Sequence, residues 1–177
     1  RVVQLANFTP QSWLETARRE RISHAFVVPT MLARIVDALA GQPDANLPSL
    51  RALSYGGGKM PLSVIEKAMK LFPKTDFTNA YGLTETSSTI ALLGPQDHRD
   101  AFASHDEKVR KRLVSVGQPL PTVEVKVCDV ETGRLLEAGE HGLIHVRGEQ
   151  VSGEYRGRGS QLDADGWFNT RDGGYLD

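Results

Sequence analysis

Eight residues, Asn79-Ala80-Tyr81-Gly82-Leu83-Thr84-Glu85-Thr86, combine a flat aromatic, a glycine, two threonine hydroxyls and a carboxylate. A ring can stack, a hydroxyl can bond an anion and a carboxylate can hold a hard cation, so the set suits a nucleotide. Two further stretches could join it. Tyr55-Gly56-Gly57-Gly58-Lys59-Met60-Pro61 offers backbone with no Cβ to obstruct the close approach of a ligand. Asp165-Gly166-Trp167-Phe168-Asn169-Thr170-Arg171-Asp172-Gly173-Gly174-Tyr175 reads as a turn, anchored by its aromatic pair, that projects Asp172. Taken singly, each has a plainer reading: Tyr81 as a core aromatic, Glu85 as a first-turn carboxylate, Asp172 as a turn residue, the glycines as loop.

The elements that must position these residues alternate over the first half of the chain. Residues 2–5 read as a short buried strand, and Thr9-Pro10 as the N-cap and first turn of a helix over 10–21 with Trp13, Leu14 and Ala17 inward. A second strand over 24–28 precedes a helix from Pro29, whose Met31, Leu32, Ile35, Val36 and Leu39 fall at helical spacing before Gly41 and Pro43. A third strand over 52–55 ends at the triple glycine. A helix from Pro61 turns Leu62, Ile65, Ala68, Met69 and Phe72 inward, and a fourth strand over 75–78 leads into the eight-residue run. Strands separated by such helices make right-handed crossovers and a mainly parallel sheet, whose strand carboxyl ends share one edge where ligands bind. The triple glycine and the Tyr81–Glu85 segment both leave that edge.

Residues 94–112 differ: charges crowd them, and they read as a solvated loop or surface helix, with neither His98 nor His105 at metal-ligand spacing. From Val114 the period becomes two. Val123, Val125 and Val127 alternate with Glu124 and Lys126, Glu131-Thr132-Gly133-Arg134 forms a hairpin turn, 143–146 is the partner strand, and a glycine-rich connection runs over 148–159. The expected fold is therefore α/β: a parallel-type sheet with flanking helices over 1–94, a charged surface loop over 95–113, and a small antiparallel β subdomain over 114–177.

A net charge of −1 gives no electrostatic ground for nucleic acid or anionic lipid as a partner. The single cysteine, Cys128, excludes an internal disulfide, reads as a packed thiol and suits a reducing, cytoplasmic compartment. No apolar run is long enough to span a bilayer, and no signal-peptide pattern is present. The chain starts at Arg1, directly on apolar residues, and stops at Asp177 after a dense Gly/Tyr/Asp segment, so it reads as a piece of a longer protein.

In this order the motifs resemble those of the adenylate-forming superfamily of acyl-CoA synthetases, luciferases and peptide-synthetase adenylation domains. Residues 79–85 are similar to its Tyr-Gly-x-Thr-Glu motif, and 55–61 to the glycine loop upstream. Ser115-Val116-Gly117-Gln118-Pro119 and residues 139–148 resemble the segments leading to its small β subdomain, and residues 166–172 its Gly-Trp-x-x-Thr-Gly-Asp motif. The resemblance covers essentially the whole chain and implies part of the large N-terminal domain of an enzyme that joins a carboxylic acid to ATP, then passes the acyl group to a thiol. It implies ATP and AMP, Mg²⁺ and coenzyme A as cofactors and a fatty or aromatic acid as substrate, with a place in fatty-acid metabolism for the former. By the same resemblance Gly56, Gly57, Gly58, Asn79, Ala80, Tyr81, Gly82, Thr84 and Asp172 hold the nucleotide. Tyr81 would stack on adenine, Gly57 and Gly58 approach the base, Asn79 bond its edge, Thr84 donate to the α-phosphate, and Asp172 accept from the ribose hydroxyls. Glu85 would hold Mg²⁺, and Gly56, Gly57, Gly58 and the segment after Glu85 would border the acyl pocket.

Three positions depart from the pattern. Arg171 stands where the family has glycine, which puts that loop's backbone shape in question or sets a guanidinium near phosphate. The family's Gly-Tyr-x-x-x-Pro loop is shortened to Gly153-Glu154-Tyr155-Arg156-Gly157, and Gly142-Leu143 replaces a commoner Gly-Glu. The family's phosphate loop is expected before Arg1 and its mobile lysine-bearing domain after Asp177, so the isolated chain is expected to be catalytically silent. Val28-Pro29-Thr30-Met31 is more like the CoA ligases than the peptide-synthetase domains. The alternatives are an acyl-AMP ligase that loads a carrier protein and a non-catalytic nucleotide-binding module.

Overall fold

The structure, a computed structural model, describes residues 1–155, 157 and 159–177, with only the backbone at Tyr155. The chain falls into two compact units, Arg1–Ala80 with Leu92–Gly117 and Tyr81–Ala91 with Gln118–Asp177. Strands β1 (His24–Val27), β2 (Ala52–Gly56), β3 (Asp76–Leu83), β4 (Ser88–Leu93) and β5 (Gln118–Pro119) follow one another in chain order in a five-stranded sheet.

In the first unit, helix α1 (Pro10–Arg19) starts on a reciprocal cap. The Ser12 amide donates to Thr9 Oγ1 at 3.0 Å and the Thr9 amide to Ser12 Oγ at 3.1 Å, with Pro10 in the first turn where no amide is needed. Trp13, Leu14 and Ala17 are buried, as their spacing requires. Helix α2 (Pro29–Ala38) and helix α3 (Leu62–Leu71) likewise bury Leu32, Ile35 and Val36, and Ile65, Ala68 and Met69. Between the helices, β1 pairs with β2 and β2 with β3, both in parallel, aligning Tyr55 with Asn79 and Gly56 with Ala80. Side chains alternate along a strand, so Val27, Leu53, Tyr55 and Phe77 share one face of this sheet and lie in the core, whereas His24, Phe26 and Asp76 on the other face are exposed.

Three expectations are corrected here. Residues 2–5 form no strand: β1 is the terminal strand of its sheet, nothing pairs beyond it among the described residues, and Val2 is 93% exposed. Only Leu5 and Phe8 lean on the core. The strand expected over 75–78 runs on to Leu83, so the tyrosine motif lies on β3 itself. Of the loop and the surface helix open for the charged stretch, 95–113 takes the helix, as α4 (Pro95–Ala103) and α5 (Glu107–Lys111) followed by a short 3₁₀ turn, and it is not wholly solvated, since it buries His98, Ala101 and Leu113. Its charges are partly spoken for, Arg99 by Asp76 and Arg110 by Glu66.

The second unit is β-rich. Strands β6 (Glu124–Cys128), β7 (Gly142–Arg147) and β10 (Phe168–Gly174) form an antiparallel sheet in the order β10-β7-β6, and β8 (Glu154–Tyr155) pairs with β9 (Gly159–Ser160). Asp129 fixes the expected turn after β6 by accepting from the Thr132 amide at 2.8 Å and its hydroxyl at 2.7 Å. Cys128 is free and buried, a packed thiol. Ile90, Val123, Val146, Val151 and Phe168 make a separate core, against which Tyr81 and Leu83 pack. The shortened loop over 153–157 includes Arg156, outside the described residues.

Candidate functional site

Within the second unit, two motif residues 91 positions apart meet. The Tyr81 hydroxyl donates to the Asp172 carboxylate at 2.6 Å. Burial of the half-covered ring raises the phenol's pKa, and the carboxylate beside it adds to the rise, so Tyr81 remains a donor. Asp172 itself is exposed, and its second oxygen has no hydrogen-bond partner among the described residues.

The local fold sets that carboxylate by interrupting a strand. Phe168 pairs with Val146 and is buried, but the register of β10 against β7 breaks between Asn169 and Gly173. In the break, Thr170 Oγ1 donates to the Ile144 carbonyl at 2.9 Å and accepts from the Asp172 amide at 3.1 Å, while the Arg171 amide donates to Asn169 Oδ1 at 2.8 Å. Arg171 lies at φ +63°, in the left-handed region. The backbone shape that glycine would supply is therefore kept with an arginine, at a cost of about 1–2 kcal/mol. Upstream, Asp163 accepts from the amides of Trp167 at 2.8 Å and Asp165 at 3.0 Å, and these bonds lower its pKa. Lys126 and Arg147 both set their cations over the Trp167 ring, at 4.2 and 4.6 Å from its centroid.

Thr84 and Glu85 open a 3₁₀ turn, Thr84–Thr86, and a connection this short can join only antiparallel neighbours. Ser87 and Ser88, at φ +53° and +101°, take up the sharpness of the reversal. The turn is held from inside and outside. Thr86 Oγ1 accepts from the Leu83 amide at 3.0 Å and reaches the Ser88 carbonyl at 2.8 Å. The Glu85 carbonyl accepts from the amides of Ser152 at 2.9 Å and Gly153 at 3.2 Å, and Gln150 Nε2 donates to the carbonyls of Thr86 and Thr89. Gly82 has a reason within the protein, since a Cβ there would stand 1.7 Å from the Ser88 carbonyl oxygen.

In the first unit the three glycines separate by cause. Gly56 is buried, and a Cβ would stand 2.3 Å from the Ala80 carbonyl oxygen. Gly57 is exposed at φ +76°. Gly58 has neither constraint: its φ is not left-handed, and a Cβ would meet only Pro29 Cγ at 3.9 Å. Packing thus leaves its missing side chain unexplained. Asn79 is buried and donates from Nδ2 to the Ser115 carbonyl at 2.9 Å, bracing that segment. Beside it, the Tyr55 hydroxyl lies 2.8 Å from His98 Nε2, and His98 Nδ1 lies 2.8 Å from the Gly94 carbonyl. A carbonyl only accepts, so Nδ1 carries the proton, Nε2 accepts and Tyr55 donates. Burial lowers the His98 pKa, and this neutral imidazole is a strut.

Sequence reasoning missed Gln150 and Ser152, which hold the site through backbone groups far off in sequence. It gave no role to Thr86 and Thr170, although both hydroxyls stand within the motifs. Among the described residues no group of three or more His, Cys, Asp or Glu is placed to hold a metal, and no helix is long and apolar enough to cross a membrane. A cation at Glu85 would have to bring most of its oxygen ligands, which Mg²⁺ does through water and phosphate.

Residues 1–156 match the family described as AMP-binding enzyme. The 2-succinylbenzoate–CoA ligase of Bacillus licheniformis is 35% identical over 179 residues, covering 99% of this chain and 34% of that enzyme. The 4-coumarate–CoA ligase 1 of Glycine max is 27% identical over 183 residues, covering 99% of this chain and 58% of that one. Among solved structures, the amide bond synthetase McbA of Marinactinospora thermotolerans superposes with a TM-score of 0.80 at 32% identity, over 98% of this chain and 33% of the other. The o-succinylbenzoate coenzyme A synthetase of Bacillus subtilis, in complex with ATP and magnesium ion, gives 0.73 at 30% identity, over 96% and 32%. The chain spans about a third of the length of the Bacillus licheniformis ligase.

Proposed function

The chain belongs to the AMP-binding enzyme family, and on that footing we propose that it supplies nucleotide-binding elements of an ATP-dependent carboxylic acid–CoA ligase. The observation that carries the reading is the Tyr81–Asp172 hydrogen bond, which unites two motif residues within one unit. Tyr81 offers a ring face to adenine, and its hydroxyl occupies one oxygen of Asp172. The other oxygen, with two lone pairs of its own, then accepts from the ribose hydroxyls. Gly57 and Gly58 give the base close backbone, Ala80 and Gly82 shape the strand that bears Tyr81, and Asn79 serves the adenine edge. The exposed Thr84 hydroxyl donates to the α-phosphate. Glu85 gives one carboxylate to Mg²⁺, which when bound offsets phosphate charge during attack by the acid.

The Bacillus and Glycine relatives are named for aromatic carboxylic acids, so we assign an aromatic acid in preference to a fatty one. CoA is the acceptor those names imply, and the likeness to an amide bond synthetase makes an amine the acceptor to test beside it. A buried free thiol fits the cytoplasm. Because the curated ligase is about three times as long, we expect these 177 residues to bind ATP without turnover. Calorimetric titration with ATP is the test. Asp172→Ala should weaken binding by about 1–3 kcal/mol, the worth of hydrogen bonds to a charged acceptor. An affinity that does not move removes Asp172 from the site, and ATP–pyrophosphate exchange by the chain alone overturns the expected silence.

A further inference from the structure

The first unit has a concave surface at the amino-terminal ends of β1 and β2, the sheet edge opposite the one from which Gly56, Gly57 and Gly58 depart. A cavity of about 790 Å³ opens there, lined by Arg18, Arg21, Ser23, Asn46, Ser49 and Arg51 among others. That volume lies within the range of small-molecule sites. Three guanidinium groups border it and no carboxylate does. Three nearby acids have partners of their own: Glu20 pairs with Arg1 and Arg19, Asp44 accepts from the Asn46 amide at 2.7 Å, and Asp76 pairs with Arg99.

Arg18 is held in place by donating to the Ala45 carbonyl at 3.1 Å. Arg21 and Arg51 make no side-chain hydrogen bond or ion pair with any described residue. Ser23 Oγ lies 2.9 Å from His24 Nδ1. Two rim residues take the left-handed backbone, Arg21 at φ +51° and Asn46 at φ +48°, a region asparagine tolerates and arginine seldom enters. Like charges gathered on a concavity repel one another and focus a positive potential into it. A bound anion would relieve the repulsion, and a guanidinium fork matches phosphate oxygens bidentately. Ser49 and Asn46 add neutral donors for the remaining oxygens.

We propose that this cavity binds a small molecule bearing a multiply charged phosphate group. The assignment does not depend on the ligase reading, because none of Tyr81, Thr84, Glu85 or Asp172 lines the cavity. Titration of the protein with inorganic tripolyphosphate in low salt, and with citrate in parallel, tests it. Saturable binding of tripolyphosphate is expected, falling as KCl is added, weakened about tenfold by R51Q and further by R21Q/R51Q, since each removes one charge-assisted pair. Both side chains are exposed and glutamine needs no new backbone shape, so the variants should keep their circular dichroism. In the unaltered protein, amide chemical shifts at Arg21, Asn46 and Arg51 should move with the same saturation curve, which locates the site without any substitution. Absence of saturable binding, affinity unaltered in folded R21Q/R51Q, or shifts confined to other residues would each overturn the proposal. Tighter binding of citrate would overturn the phosphate class in favour of polycarboxylates.

Discussion

Two tyrosine hydroxyls, one in each unit, make the same kind of bond to a titratable partner and come to opposite uses. Tyr55 and His98 are both sealed from water, at 0% exposure. Tyr81 is half covered and its partner Asp172 is open. Burial raises the pKa of both phenols, so a raised pKa does not separate the two pairs. Access to the acceptor does. A closed pair can only hold the fold, whereas an open carboxylate with one oxygen taken can still receive a ligand.

The widest split between the pairs should come from removing the buried imidazole. His98→Ala leaves the Tyr55 hydroxyl and Gly94 carbonyl unpaired beside a cavity, and should cost about 3 kcal/mol in urea unfolding. A loss under about 1 kcal/mol would end the claim that the closed pair is structural. The pH dependence of stability should sharpen the contrast next. The folded pKa of His98 is depressed by burial, so the unfolded chain takes up a proton first as pH falls. Stability from this group is intact above the ordinary histidine value, declines as pH drops through it, and is gone below the folded value. Urea midpoints from about pH 7.5 to about pH 5 should therefore fall, and His98→Gln should flatten that fall relative to the parent. A smaller effect is expected in the open pair: Tyr81→Phe should change stability by less than about 1 kcal/mol, because Asp172 regains water. A loss as large as that of His98→Ala would erase the distinction. The smallest expected effect is Arg171→Gly, which relieves a left-handed arginine and should stabilise by about 0.5–1 kcal/mol, the unfolded chain's added freedom taking back part of the gain.

The sequence was most readable where structure is local. Thr9-Pro10 capped its helix, and the stripe Leu32, Ile35, Val36 was buried, because both depend on neighbours within a turn. Residues 2–5 misled because apolar, β-branched composition shows what could pair without supplying a partner. His98 was hidden among charges, although His98 and Ala101 stand one helical turn apart on the buried face of α4. At the candidate site, the motif residues were visible as types in order. Their supports were not: Gln150 reaches Thr86 and Thr89 across some sixty positions, and no local spacing encodes that. Arg171 looked like a departure because a residue letter does not state φ, and its backbone proved to be left-handed all the same.

The Glu85 carbonyl accepts from two peptide amides, those of Ser152 and Gly153, and the Ser152 hydroxyl adds a longer bond at 3.3 Å. Peptide groups are common to nearly every amino acid, so most substitutions at position 152 give up only that longer bond and keep the amide. Proline at 152 is the exception, since it alone lacks that amide. A segment that looks freely variable among cousins of this chain can thus be mechanically fixed, and a survey by letter conservation would pass over it.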